Sequence, residues 1–121
     1  MKYDLEERVE KFGENILDFV KKIKMDAINK SIILQLIRSA TSIGANYMEA
    51  NQASSKKNFA NKIRISQKEA NESKHWLRML ARVNPEKADK CREFWKEAHE
   101  LVLILATISK KSKKSESQKD S

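Results

Sequence analysis

The sequence predicts an all-α protein with the architecture of an antiparallel up-down-up-down four-helix bundle. Two glycines and one proline among 121 residues, against 35% charged residues, suit long helices and leave little turn chemistry for an all-β fold. Apolar residues recur at alternating steps of three and four along four segments, which is the spacing of amphipathic helices. The predicted connections are about three to six residues long, so successive helices should run antiparallel.

We predict a single bundle over residues 1–110 and a disordered Lys/Ser-rich tail over residues 111–121. The chain is 40% hydrophobic, enough for a core without disulfides or metal, whereas the tail has no apolar residue. One cysteine and two histidines provide no zinc-type cluster, and we expect no cofactor. The first residues do not resemble a signal sequence, and no apolar run approaches the roughly 18 residues of a membrane span. We therefore expect a cytoplasmic protein without a membrane partner.

The first helix is predicted from about Asp4 to Lys24, opened by a capping-box pattern of Asp4 and Glu7. Its inward stripe follows steps of four and three and consists of Leu5, Val9, Phe12, Ile16, Phe19 and Ile23. Gly13 interrupts this helix at a cost of about 1 kcal/mol relative to alanine. We interpret that glycine as a point of close approach between helices.

The second helix is predicted from roughly Lys30 to Asn51. Its inward side should carry Ile33, Leu36, Ile37, Ala40, Gly44 and Tyr47. Residues 39–45 are nearly all small, and Gly44 lowers helix propensity, so we expect a neighbouring backbone to pack closely here.

The third helix is predicted to start after the Ser54-Ser55 cap and to end near Val83. At 100° per residue, its inward stripe comprises Phe59, Ile63, Ser66, Ala70, Ser73, Leu77 and Leu80. Eight basic and two acidic residues give residues 54–83 a net charge of +6 (8 − 2), within a chain whose net charge is +8. Most of the cations lie opposite the inward stripe. We predict nucleic-acid contacts from Lys57, Arg64, Lys68, Lys74, Arg78 and Arg82.

A second stripe on the same helix combines apolar and acidic residues. It contains Ile65, Glu69, Glu72 and Trp76, at steps of four, three and four. One interpretation is a subunit interface in which the glutamates meet basic residues of a neighbour. The other is that these residues only border a wide core face, and the pattern does not decide between them.

The fourth helix is predicted to begin at Asn84-Pro85, a cap followed by proline at the first helical position, and to end near Lys110. Its inward stripe should contain Cys91, Phe94, Ala98, Leu101, Leu105 and Ile108. Residues 101–106 are apolar on every side, which indicates either a sandwiched helix end or an oligomer contact.

Catalytic residues are not predicted. His75 and His99 lack the partner spacing of a metal or acid–base site, and Cys91 has the pattern of a buried small apolar residue. No glycine-rich phosphate loop is present, since Gly13 and Gly44 are the only glycines. We therefore expect a protein that is not an enzyme.

The middle of the chain resembles a known family. The matching residues are the run 35–50 (QLIRSATSIGANYMEA), then Ser55, Phe59, Ile63 and the run 68–77 (KEANESKHWL). They resemble the bacterial four-helix-bundle proteins encoded in intervening sequences of large-subunit ribosomal RNA genes. The resemblance implies a homo-oligomer, typically a ring of five. It also implies kinship with the accessory protein of diversity-generating retroelements; relatives of that kind are basic and bind nucleic acid and a reverse transcriptase.

Carried over by position, the resemblance marks polar residues on two helices. They are Arg38, Asn46 and Glu49 on the second helix and Glu69 and Glu72 on the third. Arg38 and Glu49 lie about three turns apart, so we expect each to pair with another helix or another subunit. The sequence departs from the family pattern at Asn58, where an acidic residue is commoner, and at His75, where tyrosine is expected.

Two functional hypotheses follow. In the first, the protein is a homo-oligomer that binds RNA or DNA through phosphate contacts with little sequence specificity. In the second, it is a protein-binding scaffold, for example a partner of a reverse transcriptase, without direct nucleic-acid binding.

Overall fold

The computed structural model describes the backbone of residues 4–120 and the side chains of residues 4–112. These residues form helices α1 (Leu5–Val20), α2 (Ala27–Asn51), α3 (Lys56–Val83) and α4 (Ala88–Asp120), with a short 3-10 turn at Pro85–Lys87. No β-strand occurs in this part of the chain. The predicted all-α four-helix fold is confirmed.

Three helices begin at a side-chain cap, in which an oxygen accepts a hydrogen bond from a backbone N–H two or three residues further on. The pairs are Asp4 with Glu6, Asp26 with Asn29 and Ser55 with Asn58, at 3.1, 2.8 and 3.1 Å. Helix α2 begins at Ala27 rather than at the predicted Lys30 because Asp26 provides its cap. Helix α1 ends at Val20, before the predicted Lys24.

The core lies between the four helices, and α3 makes the most extensive contacts with its two neighbours. Helix α3 packs against α2 on one side and α4 on the other, and α1 packs mainly on α2. The inward stripe predicted for α3 is buried from Ile63 to Leu80, including Ser66 and Ser73. Small hydroxyl side chains allow α2 and α3 to pack closely. The Oγ atoms of Ser39 on α2 and Ser73 on α3 lie 2.9 Å apart.

The two glycines mark the close approach of α1 and α2, as predicted. A Cβ atom on Gly13 would lie 3.5 Å from the carbonyl oxygen of Ala40, and one on Gly44 would lie 3.6 Å from that of Val9. Each glycine therefore faces the backbone of the opposite helix.

Long side chains join α1 to α4. Arg8 donates from Nε and Nη2 to the two carboxylate oxygens of Glu97 at 3.2 and 2.8 Å, and this hydrogen bonding raises the pKa of Arg8. The ring of Phe94 contacts the rings of Phe12 and Phe19. Because these backbones lie further apart than those of the other neighbours, a cleft of about 610 Å³ opens between α1 and α4.

Helix α4 continues past Lys110, the predicted end of the bundle. The side chains of residues 113–121 lie outside the described residues. The separate disordered tail over residues 111–121 therefore stays a prediction.

Candidate nucleic-acid interface

The outer face of α3 carries a row of exposed cations, which we call the basic stripe. It consists of Lys57, Arg64, Lys68, Arg78 and Arg82. The stripe faces solvent because the opposite side of the same helix is buried in the core. Arg64 donates to Asn61 Oδ1 at 3.1 Å. Within residues 4–112, none of the five stripe residues forms an ion pair with a carboxylate.

Lys74, a predicted member of this nucleic-acid contact set, occupies a different place. Its side chain is half-buried between α3 and α4, with Nζ 3.0 Å from His99 Nδ1 and 4.7 Å from the ring centre of Trp95. A lysine ammonium only donates hydrogen bonds, so Nδ1 of His99 is the acceptor in this contact. Lys74 therefore contacts the rings of His99 and Trp95 beside the basic stripe. It does not face solvent as the stripe residues do.

Helix α4 adds two exposed cations that the sequence analysis missed, Arg92 and Lys96. Arg92 lies near Trp95 and His99 in helical angle, on the side of α4 that adjoins α3, whereas Lys96 lies about 100° further round the helix than Trp95. Glu97 of α4 lies on another face of that helix, where it pairs with Arg8 of α1. Arg92 has one carboxylate contact, to the exposed Asp89 at 3.1 Å. The rotation that revealed the basic stripe, applied to the outer residues of α4, would have found both cations.

The mixed stripe of α3 faces α2 of the same chain, and we call it the α2-facing flank. Arg38 Nη1 lies 3.2 Å from Glu69 Oε2, and Arg38 also pairs with Glu72. The hydrogen bond to Glu69 contributes most to raising the pKa of Arg38. Glu49 pairs with Lys62 at 3.2 Å. Arg38 and Glu49 thus pair with a neighbouring helix, which was one of the two predicted alternatives.

The apolar members of the flank are half-buried. Trp76 packs against the core, and its ring meets that of His75 edge-on at 4.7 Å between centroids. Ile65 is likewise partly covered. Trp76 Nε1 and Glu69 Oε1 are buried without a hydrogen-bond partner in the described part of the chain. The flank therefore widens the core face of one copy, and its contact with a second copy stays a prediction.

Groups suited to catalysis are scattered. No cluster of three or more metal-ligating side chains occurs among the described residues. Cys91 is buried against α3, and burial raises the pKa of its thiol to about 11, so it is a poor nucleophile. No described helix has the length and apolarity needed to span a membrane.

The fold and its charged surface together define a small, basic helical-bundle protein with one cationic side. The chain belongs to the family of the 23S rRNA-intervening sequence protein, whose model matches residues 2–107. The resemblance noted in the sequence is thereby confirmed at the level of that family. The kinship with the retroelement accessory protein stays a prediction.

A solved structure from Bacteroides thetaiotaomicron, described as a protein of unknown function from the S23 ribosomal protein family, is similar to this chain. The two are 32% identical with a TM-score of 0.78, and the similarity covers 88% of this chain and 99% of the other. No curated protein matches the chain.

Proposed function

We propose that this protein is a non-enzymatic, homo-oligomeric bundle that binds nucleic acid through phosphate contacts. The observation that carries the proposal is the basic stripe, five exposed cations of α3 without a carboxylate partner in residues 4–112. Cations that lack an internal partner are available to neutralise phosphates and to release the counterions bound there.

The dimensions of the stripe suit a nucleic-acid backbone. From Lys57 to Arg82 it extends about 38 Å along the helix axis, at about 1.5 Å per residue. The cations of α4 widen the positive surface on one side. Phosphate contacts carry no sequence information directly, so binding should depend strongly on salt and weakly on sequence.

Charge reversal within the stripe tests this proposal. The double variant Arg64→Glu/Lys68→Glu should lower the affinity for a labelled RNA oligonucleotide at least about tenfold at low salt, measured by fluorescence anisotropy. The matched control is Lys21→Glu/Lys24→Glu, which makes the same change in net charge at the exposed end of α1. Equal losses of affinity in the two variants would show that the effect comes from net charge and not from the position of the stripe. No loss of affinity in either variant would refute the proposal.

The outer face of α2 supports the homo-oligomer. Residues at heptad-like spacing along it and at its C-cap are all exposed, namely Ala27, Ser31, Leu34, Arg38, Thr41, Ala45, Met48 and the cap residue Gln52. Only one of these eight is charged, although 35% of the chain is. Leu34 and Met48 are 57% and 47% exposed. We propose that this face, with the adjoining α2-facing flank, packs on a second copy and so multiplies the basic stripe.

Light scattering tests the oligomer. The purified protein should have a mass that is a multiple of 14.0 kDa, and Leu34→Glu/Met48→Glu should shift it to the monomer. Asn15→Glu, at an exposed position on the side of α1 that faces α4, is the control and should leave the mass unchanged. A monomeric wild type would contradict the proposal. The absorbance ratio of the same sample reports nucleic acid that co-purifies.

The alternative function is a scaffold that binds another protein, such as a reverse transcriptase. The observation that favours it is the exposed Leu103, which continues the apolar end of α4 on the outside of the bundle. A pull-down from the source cell separates the two functions. One stoichiometric protein partner without nucleic acid would favour the scaffold.

A further inference from the structure

A small pocket lies between α3 and α4, directly beside the basic stripe. Its volume is about 180 Å³, and it is lined by Leu77, Arg78, Ala81, Ala88, Cys91, Arg92 and Trp95. Pockets for drug-sized ligands begin at roughly 300 Å³, so this one suits a single ring rather than a larger molecule. Its lining combines apolar residues with one arginine from each helix.

The ring of Trp95 is held in place from one side. His99 stacks on it, with 5.2 Å between ring centroids and 17° between ring planes, and Lys74 fixes that stack through its contacts with both rings. His99 lies one turn after Trp95, whereas the α4 residues of the pocket lie one to two turns before it. Along α4, the stack therefore lies on the C-terminal side of Trp95 and the α4 part of the pocket on its N-terminal side.

The charges around the pocket favour an anionic ligand. Arg78 belongs to the basic stripe and has no carboxylate partner within residues 4–112. Arg92 pairs with Asp89, but that pair is largely exposed, and exposed pairs contribute little. The guanidinium groups of Arg78 and Arg92 therefore line the pocket together with the ring of Trp95.

We propose that this pocket takes one unpaired base of a single-stranded nucleic acid. Trp95 stacks on the base, while Arg78 and Arg92 contact the flanking phosphates. The inference rests on the nucleic-acid binding proposed above and adds a preference for single strands. Unpaired bases expose their π-faces to aromatic side chains, whereas bases in a duplex are stacked on one another and expose only their edges.

Tryptophan fluorescence tests the stacking directly. The chain has two tryptophans, so the variant Trp76→Phe leaves Trp95 as the sole indole. Addition of a single-stranded RNA oligonucleotide should quench its emission, and the same RNA annealed to its complement should quench it far less. Unchanged emission with saturating single strand would overturn the inference.

Affinity provides the second readout. Trp95→Leu should weaken single-strand binding about tenfold, since stacking of one base on an aromatic side chain contributes roughly that factor or more, and should leave duplex binding unchanged. Trp95→Phe keeps an aromatic ring and should retain most of the affinity. Circular dichroism of both variants checks that they fold. If Trp95→Leu binds single strands normally while Arg64→Glu/Lys68→Glu does not, the pocket inference fails and the proposed function stands. If the wild type binds neither RNA form at low salt, the proposed function fails.

Discussion

The side-chain amides of Asn29 and Asn84 form a buried pair at one end of the bundle. Asn84 Nδ2 donates to Asn29 Oδ1 at 2.8 Å, and Asn29 Nδ2 donates to Asn84 Oδ1 at 3.2 Å. Each amide also donates to a backbone carbonyl, of Lys24 and Leu80 respectively. The pair thus connects the α1–α2 turn to the end of α3, and every amide hydrogen of both side chains has a partner.

Truncation of this pair should be costly. Asn84→Ala leaves the amide of Asn29 buried without its partner, and we expect the free energy of unfolding to fall by about 1–3 kcal/mol. Urea denaturation measures this change. Gln35→Ala, at an exposed position of α2, is the control and should change it by less than about 0.5 kcal/mol. Equal stability of Asn84→Ala and the wild type would contradict the assigned role.

Cys91 gives a second prediction at the scale of the residue. Burial raises the pKa of its thiol to about 11, above its ordinary value of 9.0. The unfolded state therefore loses this proton first, and the contribution of the thiol to stability falls as the pH rises from about 9 to about 11. The difference in the free energy of unfolding between the wild type and Cys91→Ala should shrink across that range. A constant difference would contradict the burial of the thiol.

At the scale of the element, Gly13 tests how closely α1 approaches α2. A Cβ atom there would meet Ala40 and Thr41 at ordinary van der Waals distances, 3.5 and 3.6 Å. Gly13→Ala should therefore fit and raise the free energy of unfolding by up to about 1 kcal/mol through better helix propensity. Gly13→Leu should lower it, since the larger side chain has to displace the α2 backbone. Thermal unfolding compares the two variants, and a stable Gly13→Leu would contradict the close approach.

The inward faces of the helices could be predicted from the sequence because burial follows the helical period. Val9, Phe12 and Ile16 on α1, and Ile63 and Leu77 on α3, are buried as their spacing predicted. Helix ends were less predictable, since they depend on local caps. The short 3-10 turn at Pro85–Lys87, for example, delays the start of α4 to Ala88.

The candidate interface was predictable only in part. Periodicity placed the basic stripe on the outside of α3, but Lys74 lies at the border between the outer and inward faces. The Lys74 side chain points toward Trp95 and His99 of α4. The periodicity of α3 alone does not reveal those contacts. The same holds for the pocket between Arg78 and Arg92, because it exists only where two helices meet.

At the scale of the whole molecule, charges of opposite sign are separated. The glutamates of α3 face α2, and Glu97 of α4 faces Arg8 of α1. The outer surface of α3 is left with the cations of the basic stripe, and Arg92 of α4 adjoins them. This separation, more than the net charge of +8, gives the bundle one positive side that can attract a polyanion.

The salt dependence of RNA binding tests the central claim most directly. If all five cations of the basic stripe on one copy contact phosphates, the logarithm of the association constant should fall against the logarithm of salt concentration with a slope of about −3.5 for a single strand. An oligomer that engages several stripes should give a steeper slope. Arg64→Glu/Lys68→Glu should make the slope shallower by at least about 1.4. A flat dependence, or a slope that this variant leaves unchanged, would contradict binding through the stripe.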